Sequence, residues 1–324
     1  MIAYGTHGRS MWMEFVQVHG DKIVLHKAAK AGTSAVLHID WSRDGDVISL
    51  NTQAAELLFV NTSGTNPSAS SMRDEKWTTW TQKFGFPVQG IFQGPDYSDI
   101  NTVCRSKFGT FLAAGYDDQL IRLFKYPAYI PKQTFTSYAG HSSHVTRIRF
   151  TPDYMVSLGG EDKTVIIWEI HGQEKVRDKE DEGEDSDGLD DLDDDVDIPN
   201  RIMERRVKPK KEEEFYEAAD EGDEFMAVKP WLGAIKEPTY EYPKQSRHKP
   251  NASIKLEYVH GYRVKDCRQN LFFIDKETLL YHAAAVLIYH NISQRPSEQT
   301  LLTDHDDDIL SIDYHRESGT VLTG

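Results

Sequence analysis

From its first residues to about residue 170 the sequence repeats itself, and this repeat limits the fold more than any other feature. The stretch "AVLHIDWSRDGDVISLNTQAAELLFVN" runs through an alternating apolar segment, an Asp-Gly turn and two further alternating segments. "DINTVCRSKFGTFLAAGYDDQLIRLFKYP" follows the same order, and so does "GHSSHVTRIRFTPDYMVSLGGEDKTVIIWEI". The opening "MIAYGTHGRSMWMEF" matches the middle two segments. Turns are expected near Thr6, Asn51, Asp117 and Asp162. They are spaced by about 45, 65 and 45 residues, and the longer gap holds an insertion at Asn61–Gly90. Alternation with period 2 is the signal of a half-buried strand. Several such strands recurring at about 45 residues are the signature of a β-propeller blade. The expected fold is therefore all-β.

The last cassette is the most explicit. It opens on Gly140-His141 and closes on Trp168-Glu169, where propeller repeats of the WD type carry Gly-His and Trp-Asp. In such a blade a buried His, a hydroxyl, a turn Asp and the Trp indole join in one hydrogen-bonded chain. Here those positions are His141, Ser157, Asp162 and Trp168. Each buried polar group then has a partner, which avoids roughly 1–3 kcal/mol per orphan. A catalytic His–Asp–Ser set is the competing reading, but the spacing is that of a blade and the Trp belongs to it. The other cassettes lack the set; Ala31-Gly32 stands where Gly-His would be. They are expected to be blades held by packing alone.

The periodicity stops at His171. Residues 171–200 hold 14 Asp and Glu against 3 Lys and Arg, whereas residues 201–250 hold 11 of each. "EDEGEDSDGLDDLDDDVD" cannot bury enough apolar area to offset its ordering entropy, so residues 171–250 read as a long acidic and then basic disordered linker. Its basic run carries Arg201, Arg205, Arg206, Lys208, Lys210 and Lys211. Within it, "FMAVKPWLGAI" at Phe225–Ile235 is apolar enough to read as a strip docked on a neighbouring domain.

The whole chain of 324 residues has a net charge of −15, which disfavours nucleic acid and anionic membranes as partners. The two cysteines, Cys104 and Cys267, support neither a disulfide framework nor a CxxC metal site, and no metal or cofactor is expected. The opening residues lack the basic and apolar regions of a signal peptide.

"LEYVHGYRVKDCRQNLFFIDKETLLYHAAAVLIYHN", Leu256–Asn291, concentrates His, Cys, Asp and Arg beside an apolar run. Its longest apolar stretch, Ala283–Tyr289, is far short of the roughly 20 residues a bilayer requires. Cys267 with His260 or His282 forms a thiol–imidazole pair only if the fold brings them together. Packing is the better reading: Ile254–Val259 alternates as a strand, and two further β-type runs flank the turn "DKET".

"YVHGYRVKDCRQNL" followed by "YHAAAVLIYHN" closely resembles the hydrophobic motif of echinoderm microtubule-associated protein-like proteins. The segments "GTSAVLHIDWSRDG", "KWTTWTQKFGFPVQGIF", "SDINTVCRS" and "AGHSSHVTRIRF" resemble the closing blades of that family's double propeller. The resemblance implies a motif built from Tyr258, His260, Gly261, Tyr262, Arg263, Asp266, Arg268, Asn270, Leu271, Tyr281, Ala284, Val286 and Tyr289. It differs at Leu287, where the family usually has Gly. The heptad coiled coil through which shorter members trimerise is not in the sequence.

The chain thus reads as closing blades of a WD-repeat propeller at 1–170, a linker at 171–250, the motif at 251–300 packed into a following propeller, and the first strands of that propeller at 301–324. Such an excerpt has incomplete propellers and is expected to leave strand edges unpaired. The resemblance implies a non-catalytic cytoplasmic scaffold on microtubules. Tubulin would be bound through propeller surfaces, with Arg205, Arg206, Lys208, Lys210 and Lys211 as a further contact to an acidic partner. Other proteins could use the same surfaces, as in a generic WD-repeat adaptor.

Overall fold

The computed structural model describes residues 1–5, 12–19, 22–94, 99–172, 229–240, 242 and 248–324. Each cassette folds back on itself as an antiparallel sheet. The first sheet holds β1 (Ile2–Gly5), β2 (Trp12–His19) and β3 (Lys22–Lys30). The second holds β4 (Val36–Trp41), β5 (Val47–Thr52) and β6 (Leu57–Asn61). The third holds β7 (Ile100–Arg105), β8 (Phe111–Tyr116), β9 (Ile121–Lys125) and β10 (Phe135–Tyr138).

The fourth sheet is made of β11 (Val145–Phe150), β12 (Tyr154–Gly159), β13 (Val165–His171) and β14 (Ser253–His260). The fifth is made of β15 (Leu271–Phe273), β16 (Thr278–Ala283), β17 (Val286–Asn291) and β18 (Glu298–Leu302), and β19 (Ile312–His315) pairs with β20 (Thr320–Thr323). These are propeller blades. Among the described residues no sheet joins the first strands of the chain to the last.

The repeat is visible in the backbone. Ala55, Gln119 and Lys163 have φ of 58°, 71° and 55°, and each lies two residues before the third strand of its blade. A non-glycine residue holds this left-handed conformation only where its surroundings impose it. In two blades an aspartate does so: Asp118 Oδ1 accepts from Leu120 N–H at 3.3 Å and Asp162 Oδ1 from Thr164 N–H at 3.1 Å. In the second sheet Ala54 stands at that place, and the turn is closed instead by Glu56 N–H donating to Thr52 Oγ1. This turn therefore follows β5 rather than falling at Asn51, which is a buried strand residue.

β14 alters the domain boundaries read from the sequence. It pairs antiparallel with β13, from Val165 opposite His260 to His171 opposite Ser253. The motif's first strand is thus the fourth strand of the blade that carries Trp168, and a boundary at residue 170 would cut through a sheet. The reason lies in the edge. β13 without a partner would leave a row of open N–H and C=O groups beside Ile166, Trp168 and Ile170. A bulge between Ile167 and Trp168 skips Glu257 in the pairing. That shift of phase lets Ile254 and Leu256, and then Val259 rather than Tyr258, turn inward. Simple alternation over Ile254–Val259 does not capture it.

The blades stack through their faces. β5 and β8 are buried along their whole length, as expected of strands covered on both sides. Gly115 permits the close approach of the next blade, since a Cβ there would lie 2.7 Å from Val145 Cγ1. One core runs from Phe111, Ile121 and Leu123 through Ile148, Ile166, Trp168, Ile254 and Val259 to Ala283, Val286 and Ile288. It joins the third, fourth and fifth sheets. Leu287 packs in a separate cluster with Leu280, Ile309 and Ile312.

Ile254→Ala should remove about 2–4 kcal/mol of stability, because a buried side chain leaves a cavity. Amide exchange at Val165–Ile170 should accelerate with it, since β14 protects that edge. Unchanged protection there, read by hydrogen-exchange mass spectrometry, would detach β14 from the blade.

Candidate functional site

Two polar constellations stand out, and they are connected. The first is inside the fourth blade. His141 Nε2 lies 2.7 Å from Ser157 Oγ, and Trp168 Nε1–H donates to the same oxygen at 2.9 Å. His141 Nδ1 lies 2.9 Å from Asp162 Oδ2 and 3.0 Å from Thr164 Oγ1. Asp162 also accepts from the N–H groups of Ser142 and Thr164. The four residues picked out by spacing therefore meet in one network, and Thr164 and Ser142 join it.

Burial works against the charge of Asp162, but the hydrogen bond with His141, that ring's charge and the two backbone donors outweigh it and hold its pKa below the usual carboxylate value. The Ser–His–Asp order resembles a nucleophile set, yet Ser157 is wholly buried in the middle of a sheet and its oxygen already accepts the indole N–H. This geometry locks a blade; it offers a substrate no approach to Ser157.

The second constellation is the loop after β14 and the sheet that follows. Gly261, at φ 148°, ends β14 where a Cβ would lie 3.0 Å from Thr164 Cγ2. Arg263 grips Asp266 with two bonds of 2.7 Å, and its third nitrogen pairs with Asp308. Asp308 in turn accepts from Ser142 Oγ. A continuous path thus runs from Trp168 through His141, Asp162, Ser142 and Asp308 to Arg263 and Asp266. It links the fourth blade, the motif loop and the segment before β19. Asn270 is buried and braces the loop, donating to Arg263 O at 2.7 Å and accepting from Tyr262 OH at 2.5 Å. Arg268 donates to the carbonyls of Cys267 and Val264.

Tyr258 and Tyr281 place their hydroxyls 3.2 Å from the two ring nitrogens of His290. A neutral imidazole offers one donor and one acceptor, so the two tyrosines have opposite roles. Burial, then the charge of His260, lowers the His290 pKa and favours that neutral ring. His260 itself is exposed and lies against Tyr258, with ring centroids 4.6 Å apart. Gln299 reaches from β18 to accept from Val259 N–H at 2.9 Å and donate to Val259 O at 3.1 Å, imitating a strand partner.

Val286 is in the core, and Ala284 is buried at φ 52° in the turn between β16 and β17. Tyr289 packs against the Leu280 and Leu287 cluster. Leu271 is half exposed and contributes little to the core. Neither His260 nor His282 pairs with Cys267, whose thiol donates to Leu310 O at 3.1 Å. Burial first, then Asp266, pushes that thiol up, and burial pushes Cys104 up to about 11. Neither is poised as a thiolate nucleophile.

Sequence reasoning missed the network of the second sheet. Ser49, buried in β5, donates to Gln82 Oε1 at 3.0 Å, as does Asn51 Nδ2; the place of Ser157, opposite Ile148 and Ile166, is taken here by Leu50, opposite Ile39 and Leu58. Buried Asp40 accepts from Thr79 Oγ1 at 2.5 Å and Thr81 N–H at 2.7 Å. Residues of the insertion thus bond the buried polar groups of β4 and β5, on the face of β5 away from Leu50, so this blade is not held by packing alone. On the first strands, His38, Cys104, Arg147 and Arg149 share one face. Burial, then the charges of Arg147, Lys83 and Arg149, brings the His38 pKa down to about 3. Arg147 and Arg149 themselves are exposed. The basic run Arg201–Lys211, with Arg205, Arg206, Lys208, Lys210 and Lys211, lies outside the described residues, as does most of the expected disordered linker. Among the described residues no group of His, Cys, Asp and Glu could hold a metal, and no helix is long and apolar enough to cross a membrane.

Blades with this network, followed by the motif, define a WD-repeat β-propeller protein. Comparison with known families refines this. The echinoderm microtubule-associated protein second β-propeller matches residues 1–170, and the HELP motif matches residues 249–288. The chain belongs to the echinoderm microtubule-associated protein family. It is 37% identical over 174 residues to the 77 kDa echinoderm microtubule-associated protein of Strongylocentrotus purpuratus, covering 52% of this chain and 25% of that one. It is 35% identical over 177 residues to mouse echinoderm microtubule-associated protein-like 3, covering 53% of this chain and 20% of that one. The matched part thus spans a fifth to a quarter of these curated relatives. The solved β-propeller domain of Myceliophteria thermophila Cps50 (Swd1) aligns with 99% of this chain and 88% of its own at a TM-score of 0.41 and 8% identity.

Trp168→Ala should destabilise the fourth blade by roughly 3–5 kcal/mol, through lost burial and an orphaned Ser157 and His141. Denaturant unfolding with an unchanged midpoint would sink the structural role of the network. Asp162 adds a pH signature. Its pKa is depressed in the fold, so its stabilisation is present above the usual aspartate value and lost as pH falls through the folded one. Asp162→Asn should flatten that acid limb of the stability profile; an unchanged limb would place the acid sensitivity elsewhere.

Proposed function

We propose that this chain is part of a non-catalytic cytoskeletal scaffold that binds microtubules in the cytoplasm. The observation that carries the reading is the family match over residues 1–170 joined to the HELP motif at 249–288. The relatives it resembles are microtubule-associated proteins by name. The burial of Ser157 and the protonated thiols support a scaffold rather than an enzyme. Propeller surfaces would make the main contact with tubulin and could engage other proteins as well. Neither nucleic acid nor a membrane is part of the proposal, since a net charge of −15 repels both.

An acidic partner surface needs counter-charge. The sequence offers it in Arg205, Arg206, Lys208, Lys210 and Lys211, and the fold offers Arg147 and Arg149 on the exposed face of β11. Contacts of this kind weaken as salt screens them over a Debye length of about 10 Å at 0.1 M. Replacing the five linker residues by Ser should lower co-sedimentation with stabilised microtubules at low salt and reduce its salt dependence. Equal pelleting of the variant and its parent would remove the linker from the interface and leave the blade surface. No pelleting of the parent at any salt would overturn the microtubule assignment for this chain.

A further inference from the structure

In the charged tract between β13 and β14, one segment is seated on the blades. Trp231 is only 3% exposed, and its ring stacks on Phe84 with centroids 4.2 Å apart and planes inclined by 20°. Phe92, itself stacked on Phe84 at 6.1 Å, lies 6.3 Å from Trp231, and Ala55 and Leu57 close the floor. The backbone then makes a tight 3-10 turn at Leu232–Ala234, in which Ala234 and Ile235 N–H donate to Trp231 O at 3.0 and 3.1 Å. Eight residues beyond Trp231, Thr239 presents both N–H and Oγ1–H to Asp74, at 2.6 and 2.5 Å.

Trp231 comes from outside the repeat, whereas Phe84, Phe92 and Asp74 all come from the long insertion and its end. The arrangement has the parts of linear-peptide recognition. One aromatic anchor is fully desolvated in a pocket, and a carboxylate on the rim takes two charge-assisted hydrogen bonds. The segment forms a turn rather than a strand, so it is held by its side chains instead of by a sheet ladder. An apolar residue of this size in a polar tract would otherwise stay exposed.

We propose that the trough over Phe84 and Phe92 is a recognition site for a tryptophan-anchored linear segment, and that residues 229–240 of the same chain occupy it as a strap. The strap ties the far end of the linker to the blades that precede it. The charged residues between β13 and Trp231 are then tethered at both ends. Release of the strap would expose an aromatic trough with an acidic rim, suited to another Trp-bearing segment with a hydroxyl-bearing residue on its C-terminal side.

The test uses the full chain and a fluorescein-labelled synthetic peptide of residues 229–240. The peptide should bind the Trp231→Ala chain at least tenfold more tightly than the parent, whose trough is filled. Adding Phe84→Ala to Trp231→Ala should abolish that gain, and a scrambled peptide should show none. Asp74→Ala in the parent, a surface change, should loosen the strap and raise amide exchange at Trp231–Ile235 at least fivefold. Equal binding to the Trp231→Ala chain and the parent would overturn the proposal, provided the variant melts cooperatively. So would equal binding of the scrambled peptide. If the variant fails to fold, exchange decides: protection of Trp231–Ile235 in the parent that Asp74→Ala lowers supports the strap, and exchange as fast as in the free peptide refutes it.

Discussion

The edge of β13 is the constraint on which the rest of this structure depends. A blade whose last cassette strand faces solvent leaves open hydrogen-bonding groups beside a buried tryptophan. The chain resolves this with β14, a strand supplied from beyond a long charged tract. Because β14 is also the first strand of the HELP motif, the motif cannot be separated from the blade before it. The Gln299 amide extends the same solution by gripping both backbone groups of Val259 from the next sheet. The core then has no seam: Trp168, Val259 and Val286 belong to one cluster, although they come from three parts of the sequence.

The polar path from Trp168 to Asp266 follows from this packing. Once β14 lies on β13, the loop at Arg263 sits close to Ser142, and Asp308 can bridge the two. Its buried part, His141 with Ser157, Asp162 and Trp168, carries most of the energetic consequence, because each group there would be an orphan without the others. Its outer part is weaker. Asp266 is 47% exposed, and a pair open to solvent is worth at most about 1 kcal/mol. The path therefore locates the loop more than it stabilises the fold. Beside it, buried His282 has no partner for either ring nitrogen among the described residues, and burial, then the charge of Arg263, lowers its pKa. A neutral ring is the form that such a place tolerates.

How much of this was legible in the sequence depended on distance along the chain. His141, Ser157, Asp162 and Trp168 fall within one cassette, and their spacing led directly to a network that the geometry contains. The blades were legible for the same reason, because a cassette closes through local turns. The partner of β13 was not, since nothing within one strand states which edge it will meet, and a bulge at Glu257 hides the phase of β14. The second sheet looked bare for a related reason. It lacks the His and Trp, and its buried polar groups are instead met by Gln82, Thr79 and Thr81, which lie beyond β6 and carry no periodic mark. The motif residues were located by resemblance, yet His290, Gln299 and Asp308, which hold them in place, were not among those named. Trp231 stood out as apolar in a polar tract, but its aromatic partner Phe84 could not be read from either stretch alone.

The composition of the linker fits the tasks at its ends. Any apolar, β-prone segment between His171 and Ser253 would compete with β14 for the open edge of β13, and a competing register would displace Val259 from the core. A tract of 14 acidic residues in the thirty positions from His171 competes poorly, since like charges opposed across a sheet repel and Asp and Glu are depleted in strands. The longest apolar strip in the linker is Phe225–Ile235, and the described part of that strip turns at Leu232–Ala234 instead of extending. Pro230 precedes Trp231 and lacks a ladder donor, so the strip is a poor central strand. The segment best able to bury apolar area on its way to β14 is thus shaped to fill the Phe84 trough and to leave the β13 edge to β14.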